Sequence, residues 1–523
     1  MITPENVYLK LKKAIGTDGK IAFLATFIIG LLTHMAALTS DIPNHDGLAS
    51  MYFDQNMITS GRWFLGIACG ISSYYSIPWL IGVLSLLYIS LTAVLLCKLL
   101  KVENPFFIIG ISGMLVTFPS LASNFAYVFT MDGYMVGLLL AVLAVYLVPL
   151  GKLGFLWGGI ALAFSMGTYQ AYLPIAILLC LYQVLMIFAG TDTVKDKAKA
   201  ALKYLYMGII GVALYYLLLQ ILLKVQGKVL DTYQGINGMT DGSGLNLVAT
   251  VKSMYTDFVA FILKGNVLFA NGFALAAVIV LTVAVAVAFI IRVRAGKLYK
   301  SIWFYIIGLL TLIVVPLATN VILLISSDVN YHVLMRYQYA FFGILALAYI
   351  NSVLSDVAEL ESSRAKANAI ISWAAVLAAV VIVFSYSITD NIAYSNLQKK
   401  YEKTYAYCLR LADRIEQTEG YYQGIPIYMI GVVGDDAYPV TDITEDVTGH
   451  LLGISGDYLV YTAENYELFY KYFMGITFNI LRPDEANFYY DEEYVDMPSF
   501  PYEGSTKVVD GVLYVKTENS DRD

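Results

Sequence analysis

Acidic, basic and aromatic side chains are concentrated in one segment, residues 40–76, which lies between two long apolar runs. Its distinctive residues are three carboxylates, one guanidinium group and four rings: Asp41, Asp46, Asp54, Arg62, His45, Trp63, Tyr74 and Tyr75. A carboxylate can take a proton from a hydroxyl group, and a guanidinium group matches the geometry of a phosphate. A loop between two apolar runs lies at a membrane surface, so this combination suggests chemistry on a lipid-linked sugar.

Asp41 and Asp46 follow the first apolar run, which ends at Thr39. Both carboxylates are therefore expected at the membrane boundary, where a general base would deprotonate an acceptor hydroxyl as it attacks an anomeric carbon. The alternative is that they simply begin a solvated loop. Asp132 begins a later apolar run, where it is either a third functional carboxylate or a helix N-cap.

Arg62 and Arg336 stand out because the loops on their side of the predicted membrane contain few cations. Either residue can hold a phosphate through charge-assisted hydrogen bonds. Arg336 lies at a predicted helix start, whereas the helix dipole favours cations at the opposite end, which indicates a functional reason for it. The alternative for Arg62 is that it flanks an interfacial amphipathic helix predicted over residues 60–73.

Tyr169 and Gln170 lie in a predicted hairpin that follows a short apolar run, so they are expected below the membrane surface. Polar groups at that depth usually line a cavity, and these two are candidates for sugar contacts. His45, Trp63 and His332 are further candidates for sugar or acceptor binding. The alternative for the hairpin is an ordinary interfacial belt.

The elements that must position these residues are mostly transmembrane helices. The sequence is 59% hydrophobic and 14% charged, which is typical of a polytopic membrane protein. Its apolar stretches predict about eleven spans, near residues 21–39, 77–97, 105–121, 133–150, 154–168, 171–189, 203–224, 272–292, 301–325, 337–354 and 367–388. Two of them, 105–121 and 154–168, are short and are expected to be tilted, broken or partly inserted.

Lysine and arginine recur in every second connecting segment. The opposite and longer loops contain only Arg62, Lys228, Lys252, Lys264 and Arg336. The positive-inside rule therefore predicts that the N-terminus lies inside, and an odd number of spans places the C-terminal region outside.

From about Asp390 the composition changes to that of a soluble module. We therefore predict a transmembrane domain over residues 1–389 and an extracytoplasmic domain over residues 390–523. A helix over 397–417 and strands over 425–433 and 508–515, the second interrupted by Gly511, predict a small α/β or α+β fold.

Several function classes find no support. A long basic run is absent from the sequence, so nucleic acid is not an expected partner. The four cysteines are scattered, and the sequence contains no Walker A, GxGxxG, HExxH or CxxC motif for nucleotide or zinc chemistry.

Four pieces of the sequence together resemble the polytopic Gtr-type (serotype-conversion) glucosyltransferases of the GT-C superfamily. They are the acidic first loop leading to Gly61-Arg62-Trp63, Asp132 before an apolar run, the tetrapeptide 168–171 and the closing segment 498–515. The resemblance implies a multi-pass protein of a bacterial cytoplasmic membrane that uses a polyprenyl-phosphate sugar, usually glucose. The family often has adjacent aspartates in this loop, where the present sequence has His45-Asp46.

The combined interpretation is an inverting glycosyltransferase that modifies a cell-envelope glycan. Asp46 would be the base, Asp41 or Asp132 would orient it, and Arg62 and Arg336 would stabilise the leaving phosphate. A phosphate leaving group needs little protonation, so no cofactor is required, although a divalent cation between carboxylates is left open.

Two alternatives stay open at this stage. A transporter or flippase of lipid-linked glycans would carry its ionisable residues within the spans. A GT-C enzyme that uses another sugar, or an oligosaccharide ligase, would use the same residue types.

Overall fold

The computed structural model describes residues 3–48, 56–70, 77–231, 246–264, 267–325, 329–358, 365–430, 451, 458–482, 494 and 496–517. Three of the first-loop residues singled out above, Asp54, Tyr74 and Tyr75, lie outside these ranges. Within the ranges, helices make up most of the chain, and a small sheet lies near its C-terminal end.

Numbered in chain order, the helices are α1 Pro4–Thr39, α2 Leu65–Cys69, α3 Pro78–Leu99, α4 Pro105–Thr117, α5 Pro119–Phe125, α6 Met131–Leu147, α7 Gly154–Thr168, α8 Leu173–Ala189, α9 Val194–Gln226, α10 Leu247–Lys264, α11 Gly272–Ala295, α12 Ile302–Thr319, α13 Ile322–Ile325, α14 Ala340–Ala358, α15 Ala365–Glu416 and α16 Ala463–Phe469. The strands are β1 Pro426–Ile430, β2 Asn479–Ile480, β3 Thr506–Val509 and β4 Val512–Lys516.

Each of the eleven predicted apolar segments contains a helix. In the described part of the chain, nine helices are long and apolar enough to cross a membrane, and the α4–α5 pair would make a tenth. The remaining segment, α7, is apolar but shorter. Large apolar side chains remain exposed on many of these helices, as expected for surfaces that face lipid. The prediction of a mostly α, polytopic membrane protein is therefore confirmed.

The predicted span 105–121 is broken, and proline explains the break. Phe118 precedes Pro119 and is extended (φ −64°, ψ 128°), because the ring of a proline disfavours the helical conformation of the residue before it. The helix stops at Thr117, restarts at Pro119, and bends by 45° between the two pieces. Asn124 on α5 then donates a hydrogen bond to the Leu334 carbonyl (3.3 Å), which ties the bend to the segment before Arg336.

The predicted boundary at Asp390 falls inside one continuous helix, α15, which has 52 residues. At 1.5 Å per residue it is about 78 Å long, more than twice the thickness of a hydrocarbon core. Its first part packs beside α1, where the His34 Nδ1 atom and the Tyr394 hydroxyl are 2.7 Å apart. The other His34 ring nitrogen bonds to the Val116 carbonyl at 2.6 Å, so this histidine is satisfied within the core.

The C-terminal module contains a four-stranded sheet of order β2-β1-β4-β3. Strand β1 runs parallel to both β2 and β4, whereas β3 and β4 are antiparallel. The single strand predicted over 508–515 is wrong, because Asp510 (φ 49°) and Gly511 (φ 80°) form a tight turn between two strands. The predicted small α/β or α+β module is confirmed.

Candidate functional site

Gly61 begins the segment that carries Arg62, and three hydrogen bonds fix its position. The Gln170 side-chain amide donates to the Ser60 carbonyl (2.9 Å) and to the Tyr215 hydroxyl (3.1 Å). That hydroxyl in turn donates to the Gly61 carbonyl at 3.1 Å. Gly61 has a φ of +74°, and a Cβ atom there would lie 2.5 Å from the Gln170 amide nitrogen. Only glycine therefore fits this turn.

Trp63 anchors the other side of the turn inside the bundle. Its ring packs edge-on against Phe164 (centroids 5.3 Å apart) and lies so close to Gly167 that a Cβ there would be 2.5 Å from the indole. The amide of Phe64 donates to the Gly167 carbonyl at 2.7 Å. The amphipathic helix predicted over 60–73 is therefore wrong, since these side chains enter the bundle and only Leu65–Cys69 forms an α-helix within the described part.

Arg62, held by this turn, lies among tyrosines. Its Nη1 atom donates to the Tyr134 hydroxyl at 3.2 Å, and its guanidinium carbon lies 4.9 Å from the centre of the Tyr169 ring. Tyr134 and Tyr169 stack on each other with their centroids 4.6 Å apart. The rings fix the guanidinium plane through cation–π and stacking contacts.

Arg336 is held by a carboxylate that sequence analysis did not single out. Its Nη1 and Nη2 atoms donate to the two carboxylate oxygens of Asp257 at 2.6 and 2.7 Å. Its Nε and Nη2 atoms also donate to the Tyr331 carbonyl, at 3.1 and 3.0 Å, and the guanidinium lies 3.9 Å above the Tyr331 ring. The available signal was that Asp257 is the one acidic residue in the apolar stretch 245–264.

The two arginines belong to one cluster, which consists of Arg62, Tyr134, Tyr169, Tyr331 and Arg336. The phenol of Tyr169 is within electrostatic range of both Arg62 and Tyr331. The short 3₁₀ helices Gln170–Tyr172 and Tyr337–Tyr339, which directly follow Tyr169 and Arg336, pack together. The arginine–tyrosine cluster can therefore stabilise an anion such as a phosphate with fixed, charged donors.

Two hydroxyl groups, one in this cluster and one on Tyr172 beside it, have unused hydrogen-bonding capacity. In the described part of the chain, the buried Tyr169 and Tyr172 hydroxyls have no hydrogen-bond partner. Buried polar groups without a partner are costly, and a ligand with hydroxyl groups would satisfy them. Tyr169 therefore stays a candidate for a sugar contact, whereas Gln170 uses its amide to hold the turn at Gly61.

Asp41 and Asp46 lie elsewhere, on the loop 40–48 that follows α1. Asp46 begins the 3₁₀ helix Asp46–Leu48, its side chain is 57% exposed, and one of its oxygens is 3.4 Å from His45 Nε2. Asp41 is open to solvent on one side, but the neighbouring protein displaces enough water to raise the pKa of its carboxyl group. Both carboxylates are accessible from outside the helical bundle.

Asp132 has a different environment. It is 2% exposed, lies in the first turn of α6, and accepts a hydrogen bond from the Gly133 amide at 2.9 Å. The N-cap of α6 is Thr130, so the alternative that Asp132 is an N-cap is wrong, although a carboxylate in the first turn still complements the helix dipole. Asp132 therefore lies inside the bundle, two residues from the Tyr134 that bonds Arg62, whereas Asp41 and Asp46 lie on the loop.

His332 lies beside the cluster and is half-buried. Burial and the charge of Arg336 lower the pKa of its imidazole below the usual 6.5. The ring is therefore neutral at physiological pH, and it can both donate and accept a hydrogen bond.

An apolar groove of about 870 Å³ leads away from the turn at Gly61. Its walls come from α7, α8 and α9 and include Leu162, Met166, Ala176, Cys180, Tyr204 and Tyr215. Leu205 and Ile209 on its rim are each 56% exposed, so the groove opens toward the lipid side of α9. Tyr215 belongs both to the groove and to the hydrogen bonds that fix Gly61, so the groove ends next to the cluster.

A metal site is not evident in the ranges that the structure describes, since no group of three or more His, Cys, Asp or Glu residues there is placed to hold an ion.

Comparison with known proteins gives one informative result. No curated protein and no solved structure matches the sequence significantly. The sequence model of the family described as glucosyl transferase GtrII matches residues 35–352. This segment contains the acidic loop, both arginines, Asp132 and Tyr169, and it covers more than half of the 523 residues. The protein therefore belongs to the glucosyl transferase GtrII family.

Proposed function

We propose that the protein transfers glucose from a polyprenyl-phosphate donor to a cell-envelope glycan, at the outer face of a bacterial cytoplasmic membrane and with inversion at the anomeric carbon. Family membership supports glucosyl transfer. The observation that carries the finer proposal is the position of the arginine–tyrosine cluster at the end of an apolar groove. A lipid-linked sugar phosphate has the same two parts, an anionic head and a long apolar chain.

The donor would bind with its isoprenoid chain in the groove and its phosphate at the cluster. The lining of the groove is almost entirely apolar, so burying a hydrocarbon chain there is favourable. Arg62 and Arg336 would stabilise the phosphate as the bond to the sugar breaks and negative charge grows on the leaving oxygen. Arg336 already shares its charge with Asp257, so it would contribute most strongly when the phosphate competes with that carboxylate.

The sugar would lie between the phosphate and the outer loop. Tyr169 would contact its hydroxyl groups, with Trp63 and His332 contributing to the surrounding walls. Gln170 would act through the turn that presents Arg62, because its amide is bonded to Ser60 and Tyr215.

Transfer would be a single displacement. Asp46 takes the proton of the acceptor hydroxyl while its oxygen forms a bond to the anomeric carbon on the face opposite the phosphate. The bond between that carbon and the phosphate oxygen breaks, and its electron pair leaves with the polyprenyl phosphate. Asp41 or Asp132 would orient the reacting groups. No step in this scheme requires a cofactor, and a divalent cation bound with the donor remains compatible with it.

The deciding experiment is transfer of radiolabelled glucose from polyprenyl-phosphate glucose by the purified protein in lipid vesicles, with cell-envelope glycan as acceptor. We expect transfer in the wild type and its loss in Asp46→Asn, which keeps the size of the side chain but cannot act as the base. Full activity of Asp46→Asn would refute the assignment of the base. Movement of the donor across the vesicle membrane without transfer to glycan would instead favour a flippase.

A further inference from the structure

Loop 40–48 is built into the hydrophobic core of the C-terminal module. Leu48 is fully buried in a cluster with residues of α15 and α16, which are Cys408, Leu411, Tyr466 and Phe469. The 3₁₀ helix Asp46–Leu48 packs directly on α16. A leucine in this position fastens the loop to the module, because withdrawing it would leave a cavity in the core.

The docked loop brings His45 against an aromatic side chain of the module. The His45 and Tyr461 ring centroids are 5.9 Å apart, and His45 is also within electrostatic range of Lys400 on α15. His45 contacts both Asp46 and Tyr461, and both of these residues are open to solvent, with 57% of the Asp46 side chain and 39% of Tyr461 exposed. The carboxylate and the aromatic ring therefore both adjoin one half-buried imidazole at the seam between loop and module.

We propose that the acceptor sugar binds at this seam, with its ring against Tyr461 and one hydroxyl directed to Asp46. This inference rests on the proposed function, because the acceptor would bind next to Asp46, the base of the proposed reaction. A pyranose has an apolar face of C–H groups and a rim of hydroxyl groups. The Tyr461 ring can stack on the apolar face, and the Asp46 carboxylate and the His45 imidazole can form hydrogen bonds with the hydroxyl groups.

The two sides of the seam also come from different parts of the chain. Asp46 and His45 lie within the segment matched by the family model, residues 35–352, whereas Tyr461 lies outside it. The family segment would thus supply the reacting carboxylate, and the module would supply the surface that selects the glycan.

The test compares Tyr461→Ala, Tyr461→Phe and the control Tyr502→Ala in the full-length protein. Tyr502 is a more exposed tyrosine of the same module (66%), and its carbonyl accepts from Arg414, about 20 Å along α15 from Lys400. We expect Tyr461→Ala to raise the KM for acceptor about three- to tenfold, as for the loss of an aromatic stacking partner, without changing the KM for donor. Tyr461→Phe keeps the ring and should resemble the wild type, as should Tyr502→Ala.

Direct binding of oligosaccharide fragments of the cell-envelope glycan, measured without donor, separates this inference from the proposed function. Binding that weakens in Tyr461→Ala but not in Tyr502→Ala supports the seam even if no transfer is found. An acceptor KM and a binding constant that are unchanged in Tyr461→Ala, or that change equally in Tyr502→Ala, would overturn the seam while leaving a transfer activity intact.

Discussion

Arg336 and Asp257 form a bidentate ion pair, with Nη1–Oδ2 and Nη2–Oδ1 distances of 2.6 and 2.7 Å, although 79 positions separate them in the sequence. The pair joins the amphipathic helix α10 to the segment before α14, and Arg336 is 8% exposed. Breaking one member of such a pair leaves the other charge buried without compensation. The pair therefore fixes both the position of α10 and the direction in which Arg336 presents its donors.

Arg336→Lys tests whether this geometry matters beyond charge. A lysine keeps the positive charge but cannot donate to both carboxylate oxygens and to the Tyr331 carbonyl in the same plane. We expect at least a tenfold fall in kcat/KM for the lipid-linked donor, measured by the transfer assay, and a lower unfolding midpoint. Arg292→Lys is a suitable control, since Arg292 lies in the last turn of α11, a different membrane-spanning helix. Equal activity of Arg336→Lys and wild type would show that charge alone suffices.

Gly61→Ala tests the turn that presents Arg62. The new Cβ would lie 2.5 Å from the Gln170 nitrogen and 2.7 Å from the Tyr215 hydroxyl, so those hydrogen bonds must shift. We expect a loss of transfer of tenfold or more. Gly70→Ala is the matched control, because Gly70 also has a positive φ (54°) but none of the described residues lies within 4 Å of its Cβ position. If both variants lose activity equally, backbone strain rather than the contact with Gln170 is responsible.

Leu48→Ala tests whether the module positions the acidic loop. The truncation should destabilise the docked loop by about 2–5 kcal/mol and lower kcat, because Asp46 is no longer held at the seam. Leu48→Met conserves volume and should restore most of the activity. Leu513→Ala removes an equally buried side chain from the same core, on β4. If Leu513→Ala lowers kcat as much as Leu48→Ala, the effect reflects the stability of the module and not the position of the loop.

His45 gives a prediction about pH. Burial is the largest effect on the pKa of its imidazole and lowers it below 6.5, while Asp46 raises it and Lys400 lowers it to a smaller extent. The folded protein therefore binds a proton at His45 less readily than the unfolded chain, so acidification below pH 6.5 should favour undocking of the loop. We expect the unfolding midpoint to fall more between pH 7.5 and pH 5.5 in the wild type than in His45→Gln, measured by thermal denaturation in detergent. An identical pH dependence in the two proteins would contradict this.

The helices and the family could be predicted from the sequence because their signals are local. Apolar runs such as 133–150 and 203–224 carry their own evidence, and the motif at Gly61-Arg62-Trp63 is contiguous. A break was one of the outcomes predicted for the run 105–121, because this run is short.

The contacts of the candidate site could not be predicted, because they join distant positions. Gln170 reads as a cavity residue, yet its amide bonds to Ser60, 110 positions away. Leu48 is a single leucine in a polar loop, which gives no periodic pattern to indicate that it enters the core of the C-terminal module. The sequence does not show that Asp257 pairs with Arg336, because 79 positions separate the two residues.

The uninterrupted helix α15 connects an apolar segment directly to the C-terminal module. Because each residue advances the helix by 1.5 Å and turns it by about 100°, its length sets both the distance of the module from the apolar segment and the direction the module faces. One residue added between Ser387 and Leu397 would swing the module by about a quarter turn and carry the Tyr461 side of the seam away from Asp46. Seven residues would restore the direction but raise the module by about 10 Å. Under the proposed function, the residue count of this single helix would set the distance from the membrane at which a glycan chain is modified.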